Sequence, residues 1–242
     1  MRAAVPAASE VSGPMRAYAR RLTKVAAPQG HIGKRTVADL ETLHLADALI
    51  GSPPFAAMPA HPAFELPEAT DKPLRLVDIG SGAGLPGIPL AIARPDLRVF
   101  LVESRVRAAG FLQDTVDALG LANIRVLRVR AETLAHDPEF RESFHLATAR
   151  ALAATGVALE LCLPLLRVDG RVLLYKTAAA RDEIAAAAPI AARLGGAPGP
   201  IHTYELPGLD QPRVIATFEK TAPSPAKYPR RSGTPSRCPL KP

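Results

Sequence analysis

Residues Leu74–Gly84 read LRLVDIGSGAG, a short apolar strand that runs directly into a glycine-rich loop. Glycine permits the sharp turn and the close backbone approach that such a loop needs if a ligand binds there. Pro86 and Pro89 follow the loop, and proline is tolerated in a helix only in its first turn. Strand, loop and helix together predict the first unit of an α/β fold.

Strands and helices continue to alternate along the chain as far as residue 219. The sequence predicts strands at 74–79, 98–102, 124–130, 144–148, 171–175, 200–206 and 212–219. It predicts helices directly after the glycine loop and at 105–119, 151–166 and 180–194. This alternation is typical of a mostly parallel, doubly wound, Rossmann-like sheet, here of seven strands, and the two consecutive final strands predict an antiparallel edge.

The segments around this α/β domain differ from it in composition. The sequence predicts a disordered segment at 1–14, an N-terminal helical cap at 15–50, a proline-rich linker at 51–73, the α/β domain at 74–219 and a tail at 220–242. The tail has six prolines in 23 residues. Because proline interrupts both helices and central strands, the tail is predicted to contain neither.

The net charge of +7 is concentrated at the two ends of the chain. Residues 1–40 carry seven basic and two acidic side chains, and residues 220–242 carry six basic and no acidic ones, whereas residues 41–219 have a net charge of −4. Basic ends of this kind can pair with the phosphates of a polyanion, or they can be solvated segments that keep a protein soluble. Charge alone leaves these two interpretations open.

Several classes of protein are not expected from this sequence. It has no run of 18 apolar residues that could span a membrane, and its N-terminus lacks the apolar region of a secretory signal. Two cysteines and six histidines show no spacing typical of metal ligands, so no metal site is predicted. We therefore expect a cytoplasmic protein, and we expect a monomer.

Two acidic residues frame the glycine loop. In an open α/β sheet the ligand binds beyond the carboxyl ends of the strands, near the loop after the first strand. Asp78 precedes Gly80, Gly82 and Gly84, and Glu103 ends the second strand. A carboxylate at the position of Glu103 can accept hydrogen bonds from both ribose hydroxyls of a nucleoside. The pattern indicates a cofactor that contains adenosine.

Two cofactor classes fit this loop. Residues 82–87 satisfy the dinucleotide pattern G-x-G-x-x-G, which leaves an NAD(P)-dependent oxidoreductase as one interpretation. The acidic-led pattern that starts at Asp78 is typical of S-adenosylmethionine-dependent methyltransferases, because an acid there suits the ammonium group of that cofactor. The two prolines also remove N–H donors that a pyrophosphate would need at the helix start. The methyltransferase interpretation is favoured.

A longer match then indicates a family. Residues 78–92, DIGSGAGLPGIPLAI, closely resemble the loop of the bacterial small-subunit rRNA guanine-N7 methyltransferases, also known as the glucose-inhibited division protein B family. Shorter matches follow at 94–96, 130–132, 148–151 and 161–166, and the tail KYPRRSGTP at 227–235 resembles the C-terminal signature of the family. The resemblance covers residues 40–240. It implies a class I methyltransferase fold that acts on guanosine N7 of 16S rRNA, or on the small subunit, with S-adenosylmethionine as the cofactor.

The resemblance also assigns site residues. It implies that Gly80 and Leu85 line the cofactor pocket, that Ala131 and Glu132 lie beside the adenine, and that Arg150 faces the cofactor. The chain departs from the family pattern in three places. Glu103 stands where the family often has aspartate, a change that should preserve the hydrogen bonds. Thr177 follows Lys176 where the family usually has glycine, and the N-terminal Asn-Leu-Thr element expected ahead of residue 44 is not recognisable.

The reaction that the resemblance implies needs no general base, because guanine N7 has a lone pair and no proton at neutral pH. The enzyme must instead align the reactants and exclude water. Arg150 and Lys176 are the candidates for holding the target base. Lys227, Arg230 and Arg231 are the candidates for contact with RNA phosphates. A methyltransferase fold that only binds RNA, as an assembly factor, remains an alternative.

His44 and Asp47 are one helical turn apart. They are interpreted either as a functional pair near the site or as a structural hydrogen-bonded pair. Cys162, in an apolar helix, is predicted to belong to the core.

Overall fold

The protein is built around one sheet. The computed structural model describes residues 13–28, 30, 45–49, 73–206 and 210–242. Its strands are Arg75–Ile79 (β1), Arg98–Val102 (β2), Ile124–Leu127 (β3), Phe144–Arg150 (β4), Leu166–Thr177 (β5), Gly196–Tyr204 (β6) and Arg213–Lys220 (β7). The sheet has the order β3-β2-β1-β4-β5-β7-β6, and β7 pairs antiparallel with both of its neighbours. The predicted doubly wound seven-strand sheet with an antiparallel edge is confirmed.

Nine α-helices are present in the described part of the chain. They are Gly13–Arg21 (α1), Ala46–Leu49 (α2), Gly87–Ala93 (α3), Val106–Leu119 (α4), Ala131–Leu134 (α5), Thr155–Cys162 (α6), Arg181–Ala186 (α7), Ala188–Arg193 (α8) and Thr234–Arg237 (α9). A π-helical turn, Leu22–Ala26, continues α1. Among the described residues, no helix is both long and apolar enough to cross a bilayer.

The predicted helix at 180–194 is two helices, α7 and α8. Pro189 lies in the first turn of α8, where its missing N–H and its ring prevent one continuous helix. Strand β5 is longer than predicted: its register against β4 shifts between the pairs Phe144–Leu166 and Leu146–Arg171, and this irregularity accommodates the turn at 169–170 within the strand.

The tail prediction was wrong in one respect. Helix α9 lies inside the segment that was predicted to contain no helix. Pro235 occupies the first turn of α9, where a helix needs no N–H from it.

Two apolar clusters cover the two faces of the sheet. Val77, Ile79 and Phe100 point toward one cluster, which includes residues of α6 and α8, as well as the buried Cys162. Leu76 and Leu101 point toward the other, which includes residues of α1, α3 and α4. Neighbouring residues of one strand face opposite sides, so the near-continuous apolar run of each central strand is buried on both.

The N-terminal helix α1 is part of this second layer. The hydroxyl of its buried Tyr18 donates a hydrogen bond to the carbonyl of Ala83 in the glycine loop, over 2.8 Å. Residues 1–12, 51–72 and His44 lie outside the described residues, and with them nearly all of the predicted disordered segment and of the predicted linker.

Candidate cofactor site

A cavity of about 460 Å³ opens at the carboxyl ends of β1, β2, β3 and β4. Its lining comprises Ile79, Gly80, Val102, Glu103, Ser104, Arg105, Val129, Arg130, Ala131, Glu132, Ala151, Leu152, Leu161 and Ser236. This is the edge at which open α/β sheets bind their ligands, and the volume is in the range of small-molecule sites. The structure therefore brings four of the predicted cofactor residues, Gly80, Glu103, Ala131 and Glu132, to one cavity.

The glycine loop turns sharply at one end of this cavity. Gly80 has a φ of +70° and Gly84 a φ of +97°, a region that other residues adopt only with strain. A Cβ on Gly80 would collide with the side chain of Leu152, and a Cβ on Gly84 would lie 2.5 Å from Ile88 Cδ1. Gly82, Gly84 and Leu85, the other predicted residues of the loop, lie outside the cavity lining. The glycines are needed for loop shape and close packing.

Glu103 lies in the cavity with only 5% of its surface exposed. Its Oε2 accepts a hydrogen bond from the Gly82 N–H at 3.1 Å, and its Oε1 accepts one from the Arg105 N–H at 2.9 Å. The Arg105 guanidinium lies 3.3 Å from both carboxylate oxygens. Burial raises the pKa of Glu103, but the hydrogen bonds from Arg105 and Gly82 outweigh burial and hold that pKa below its ordinary value. Glu103 is therefore a carboxylate at neutral pH.

The apolar part of this cavity lining, here called the apolar slot, consists of Ile79, Val102, Val129, Ala131, Leu152 and Leu161. It shares the cavity with Glu103 and with the polar residues Ser104, Arg105 and Arg130. Such apolar side chains suit the flat face of a purine ring, and Glu103 in the same cavity suits a ribose, so the residues present fit an adenosine-containing cofactor. Glu132 also lies at this cavity, where its Oε1 accepts a hydrogen bond from the Gly233 N–H at 2.7 Å.

The C-terminal segment contributes to this cavity, which the sequence did not indicate. Ser236 is part of the cavity lining, and Gly233 holds Glu132. The basic, proline-rich composition of the tail suggested an extension separate from the domain. No local sequence pattern predicts that the tail folds back to the sheet, because the hydrogen bond between Gly233 and Glu132 joins residues about one hundred positions apart.

Asp78 lies behind the loop, outside the cavity lining. It is 1% exposed, and its Oδ1 accepts a hydrogen bond from the Thr148 hydroxyl at 2.7 Å. Its Oδ2 accepts no hydrogen bond from any described residue. Burial raises the pKa of Asp78 to about 6, against the opposing effect of the bond from Thr148. A buried carboxylate with one unsatisfied oxygen is costly and is therefore a candidate for a functional role.

Arg150 and Asp47 form a buried ion pair on the opposite face of the sheet from the apolar slot. Arg150 Nε lies 3.1 Å from Asp47 Oδ2, and Arg213 lies 3.4 Å from the same oxygen. The Tyr204 hydroxyl donates a hydrogen bond to Asp47 Oδ1 at 2.5 Å. Arg150 was expected to face the cofactor, but it lies outside the cavity lining. In the structure Asp47 pairs with Arg150, Arg213 and Tyr204, and His44, its partner in the sequence prediction, lies outside the described residues.

Lys176 binds the backbone of the loop 151–154, which follows β4. Its ammonium donates a hydrogen bond to the carbonyl of Ala153 at 2.7 Å and lies 3.0 Å from Glu183 Oε1. Glu183 also accepts hydrogen bonds from the backbone N–H and the hydroxyl of Thr155. Leu152 of the same loop lines the cavity. The side chain of Lys176 thus holds the backbone of a loop that forms one wall of the site.

The three basic tail residues predicted for RNA contact differ from one another. Lys227 and Arg231 are exposed. Arg230 is turned inward, where its guanidinium forms two hydrogen bonds of 2.8 and 2.7 Å to the carboxylate of Glu160. Within the described residues, no group of histidine, cysteine and acidic side chains could hold a metal ion.

Comparison with known proteins assigns the chain to a family. Residues 13–197 match the family model described as rRNA small subunit methyltransferase G. The chain belongs to this family. The ribosomal RNA small subunit methyltransferase G of Roseiflexus sp. strain RS-1 is 46% identical over 170 residues, which are 70% of this chain and 72% of that protein. The protein of the same name from Lactiplantibacillus plantarum is 43% identical over 180 residues, 74% of each chain.

Solved structures support the fold. A predicted O-methyltransferase from Agrobacterium tumefaciens has a TM-score of 0.51 at 24% identity, over 63% of this chain and 76% of that one. A 16S rRNA (adenine(1408)-N(1))-methyltransferase from Catenulisporales acidiphilia has a TM-score of 0.51 at 15% identity, over 64% of this chain and 88% of that one. Both are similar to the chain in fold.

This methyltransferase G family member is an rRNA methyltransferase that uses S-adenosylmethionine. The predicted family, enzyme class and cofactor are confirmed, and the alternative of an NAD(P)-dependent oxidoreductase is excluded. The roles of the individual site residues stay predictions, which the geometry described above now refines.

Proposed function

We propose that this enzyme methylates N7 of a guanosine in 16S rRNA, with S-adenosylmethionine bound in the cavity at the carboxyl ends of β1–β4. The observation that carries the proposal is Glu103, a buried carboxylate that shares a cavity of about 460 Å³ with the apolar slot. Membership of the methyltransferase G family supplies the class of substrate.

Different residues at the cavity would bind different parts of the cofactor. The Glu103 carboxylate would accept hydrogen bonds from ribose hydroxyls, and the walls around Ala131 and Leu161 would enclose the adenine. Gly80 gives the loop its sharp turn and lets Leu152, another residue of the lining, pack against it. The buried carboxylate of Asp78 supplies negative charge behind the glycine loop, on the side suited to the ammonium group of the ligand.

Methyl transfer to guanine N7 depends on alignment of the reactants and needs no proton transfer. When bound, S-adenosylmethionine supplies an activated methyl group on a positively charged sulfur. The guanine N7 lone pair accepts that methyl without losing a proton, so no residue of the chain has to act as a base. The chain contributes position and the exclusion of water, and positioning alone can supply several kcal/mol.

We propose that Lys176 and Arg150 support binding of the target base in different ways. Lys176 holds the carbonyl of Ala153, and thereby the loop 151–154 beside the cavity. Arg150 ends β4 directly before this loop, and Asp47 fixes its guanidinium. We assign Lys176 to holding the loop and Arg150 to the approach of the guanine, through its O6 or a flanking phosphate.

Methyl transfer from labelled S-adenosylmethionine to naked 16S rRNA and to small subunits tests this proposal. Mass analysis of the nucleosides is expected to show 7-methylguanosine, and Arg150→Ala is expected to lower the rate strongly while circular dichroism shows a folded chain. Methylation at another atom would contradict the N7 assignment. Absence of any transfer to either substrate would favour the RNA-binding assembly factor instead.

The same measurement decides between naked rRNA and an assembled particle as the substrate. We propose that the enzyme acts as a monomer. We also assign the reaction to the cytoplasm, where the proposed rRNA substrate is assembled.

A further inference from the structure

The C-terminal clasp, which we define as residues Tyr228–Arg237, crosses α5 and α6 and ends at the cofactor cavity. Its anchor is Arg230, whose backbone N–H donates to Glu160 Oε1 at 2.9 Å. The guanidinium of Arg230 adds bonds of 2.8 Å to Oε1 and 2.7 Å to Oε2. Three hydrogen bonds thus join one tail residue to one carboxylate of α6.

Because Glu160 is buried, its carboxylate requires an arginine as its partner. Its side chain is 1% exposed, and a buried carboxylate is stable only if a cation and hydrogen-bond donors surround it. The planar guanidinium of Arg230 matches the carboxylate at two points, which lysine cannot do. The hydrogen bond with Glu160 raises the pKa of Arg230, so its guanidinium stays charged. The neighbouring Arg231 is exposed.

Beyond the anchor, the clasp reaches the cavity itself. The Gly233 N–H donates to Glu132 Oε1 at 2.7 Å, and Ser236 is part of the cavity lining. Before the anchor, Arg141 donates to the carbonyl of Tyr228 at 2.9 Å. The clasp is therefore held at both ends, with the Arg230–Glu160 pair between them.

We infer that Arg230 is a positioning residue for cofactor binding: through Glu160 it docks the clasp, which completes the cavity wall and holds Glu132 in place. The inference rests on the proposed function, because it takes the cavity to be the S-adenosylmethionine site. A docked clasp then raises the affinity for the cofactor, and a bound cofactor stabilises the docked clasp to the same extent.

The double variant Glu160→Gln/Arg230→Ala tests this inference. Arg230→Ala alone would leave Glu160 charged and buried without its partner, which endangers the fold, whereas the double variant leaves no unpaired buried charge. Calorimetric titration of the full-length protein with S-adenosylhomocysteine is expected to show at least tenfold weaker binding. In methyl transfer, the KM for S-adenosylmethionine should rise by the same factor while kcat stays within threefold.

Arg231→Ala is the matched control, because it removes the neighbouring arginine that faces solvent. Its affinity for S-adenosylhomocysteine is expected to stay within twofold of the wild type. Hydrogen exchange gives a second readout: S-adenosylhomocysteine should slow exchange of the Gly233 amide in the wild type and have no such effect in the double variant.

Equal affinity of the wild type and the folded double variant for S-adenosylhomocysteine would overturn the role of Arg230 and leave the proposed function standing. A wild-type protein that does not bind S-adenosylhomocysteine would instead overturn the proposed cofactor site, and the inference with it.

Discussion

Glu103 keeps its negative charge although it is almost completely buried, because hydrogen-bond donors of the chain surround its carboxylate. The Gly82 and Arg105 N–H groups each donate to one of its oxygens, and the Arg105 guanidinium lies against both. Arg105 itself is largely exposed, so its side chain can leave when ribose hydroxyls take its place on the carboxylate. Glu103 is thus both an organiser of the glycine loop and a preformed acceptor for the ligand.

Replacement of Glu103 with alanine should therefore weaken cofactor binding. We expect Glu103→Ala to reduce the affinity for S-adenosylhomocysteine at least tenfold, which corresponds to about 1.4 kcal/mol. Titration calorimetry gives this value directly. Arg107→Ala, which alters an exposed residue of the same stretch, is the control and should bind like the wild type. Unchanged binding by Glu103→Ala would place the ribose elsewhere.

Asp78 predicts a pH dependence of stability. Burial raises its pKa from 3.8 to about 6, so between these values the folded state binds more protons than the unfolded state. The contribution of Asp78 to the free energy of unfolding is therefore highest at low pH. It falls as the pH rises from about 4 to about 6, by about 3 kcal/mol in total.

Asp78→Asn should remove this contribution. Relative to the wild type, we expect the variant to gain about 3 kcal/mol of unfolding free energy between pH 4 and pH 7, measured by denaturant titration. Asp114→Asn, on the exposed side of α4, controls for the loss of one surface carboxylate. A difference between Asp78→Asn and the wild type that does not change with pH would contradict the expectation.

Helix α2 has only four residues, yet it supplies the carboxylate on which three other elements converge. Asp47 contacts Arg150 at the end of β4, Tyr204 at the end of β6 and Arg213 at the start of β7. The hydroxyl of Tyr175 on β5 also donates to the carbonyl of Ala48, at 3.4 Å. These contacts attach α2 to the end of the sheet at which β4 terminates in Arg150.

Asp47→Asn should destabilise the protein, because it leaves two partly buried arginines facing a neutral side chain. Removal of one partner from a buried ion pair typically costs about 3–5 kcal/mol of unfolding free energy. Denaturant titration measures the loss, and the exposed Asp210→Asn is the control. A loss below about 0.5 kcal/mol would show that the network contributes little to attachment of the cap. Methyl transfer should fall as well, since Arg150 loses its orientation.

Across the whole molecule, the basic tail serves two different purposes. Its inward residues, Lys220 and Arg230, pair with Glu142 and Glu160 of the α/β domain. Its outward pair, Lys227 and Arg231, is exposed, as are Arg237 and Lys241. Exposed cations that pair with RNA phosphates release counterions, which makes affinity depend on salt. We therefore assign RNA contact to the outward pair and docking of the tail to the inward pair.

The double variant Lys227→Ala/Arg231→Ala tests this division. If both residues contact phosphates, the slope of log affinity for rRNA against log salt should shrink by about 1.4 to 1.8, with affinity for S-adenosylhomocysteine unchanged. Arg98→Ala/Arg125→Ala removes two exposed charges near the amino ends of the strands, away from the cavity, and should leave the slope unchanged. Equal slopes for all three proteins would remove Lys227 and Arg231 from the RNA contact.

The order of the elements and the place of the cofactor cavity could be predicted because their signals are local. A strand that ends in DIGSGAG, an acid at the end of the next strand and regular strand–helix alternation depend on residues close together in sequence. Strand alternation restricts the topology strongly, and parallel strands bring their carboxyl ends to one edge. Glu103 could be placed at the cavity for this reason, whereas Ala131 and Glu132 were predicted from the family resemblance.

The environment of each charged side chain was decided only by contacts between distant parts of the chain. Arg230 and Arg231 are adjacent and chemically identical, yet one is paired in the interior with Glu160 and the other is exposed. Arg150 meets Asp47 across about one hundred positions, and Gly233 meets Glu132 across a similar distance. A net charge of +7 predicts a partner of opposite charge, but it cannot tell a cation that stabilises the fold from one that faces solvent. That difference is set by burial, because desolvation makes a charge costly unless the fold supplies its partner.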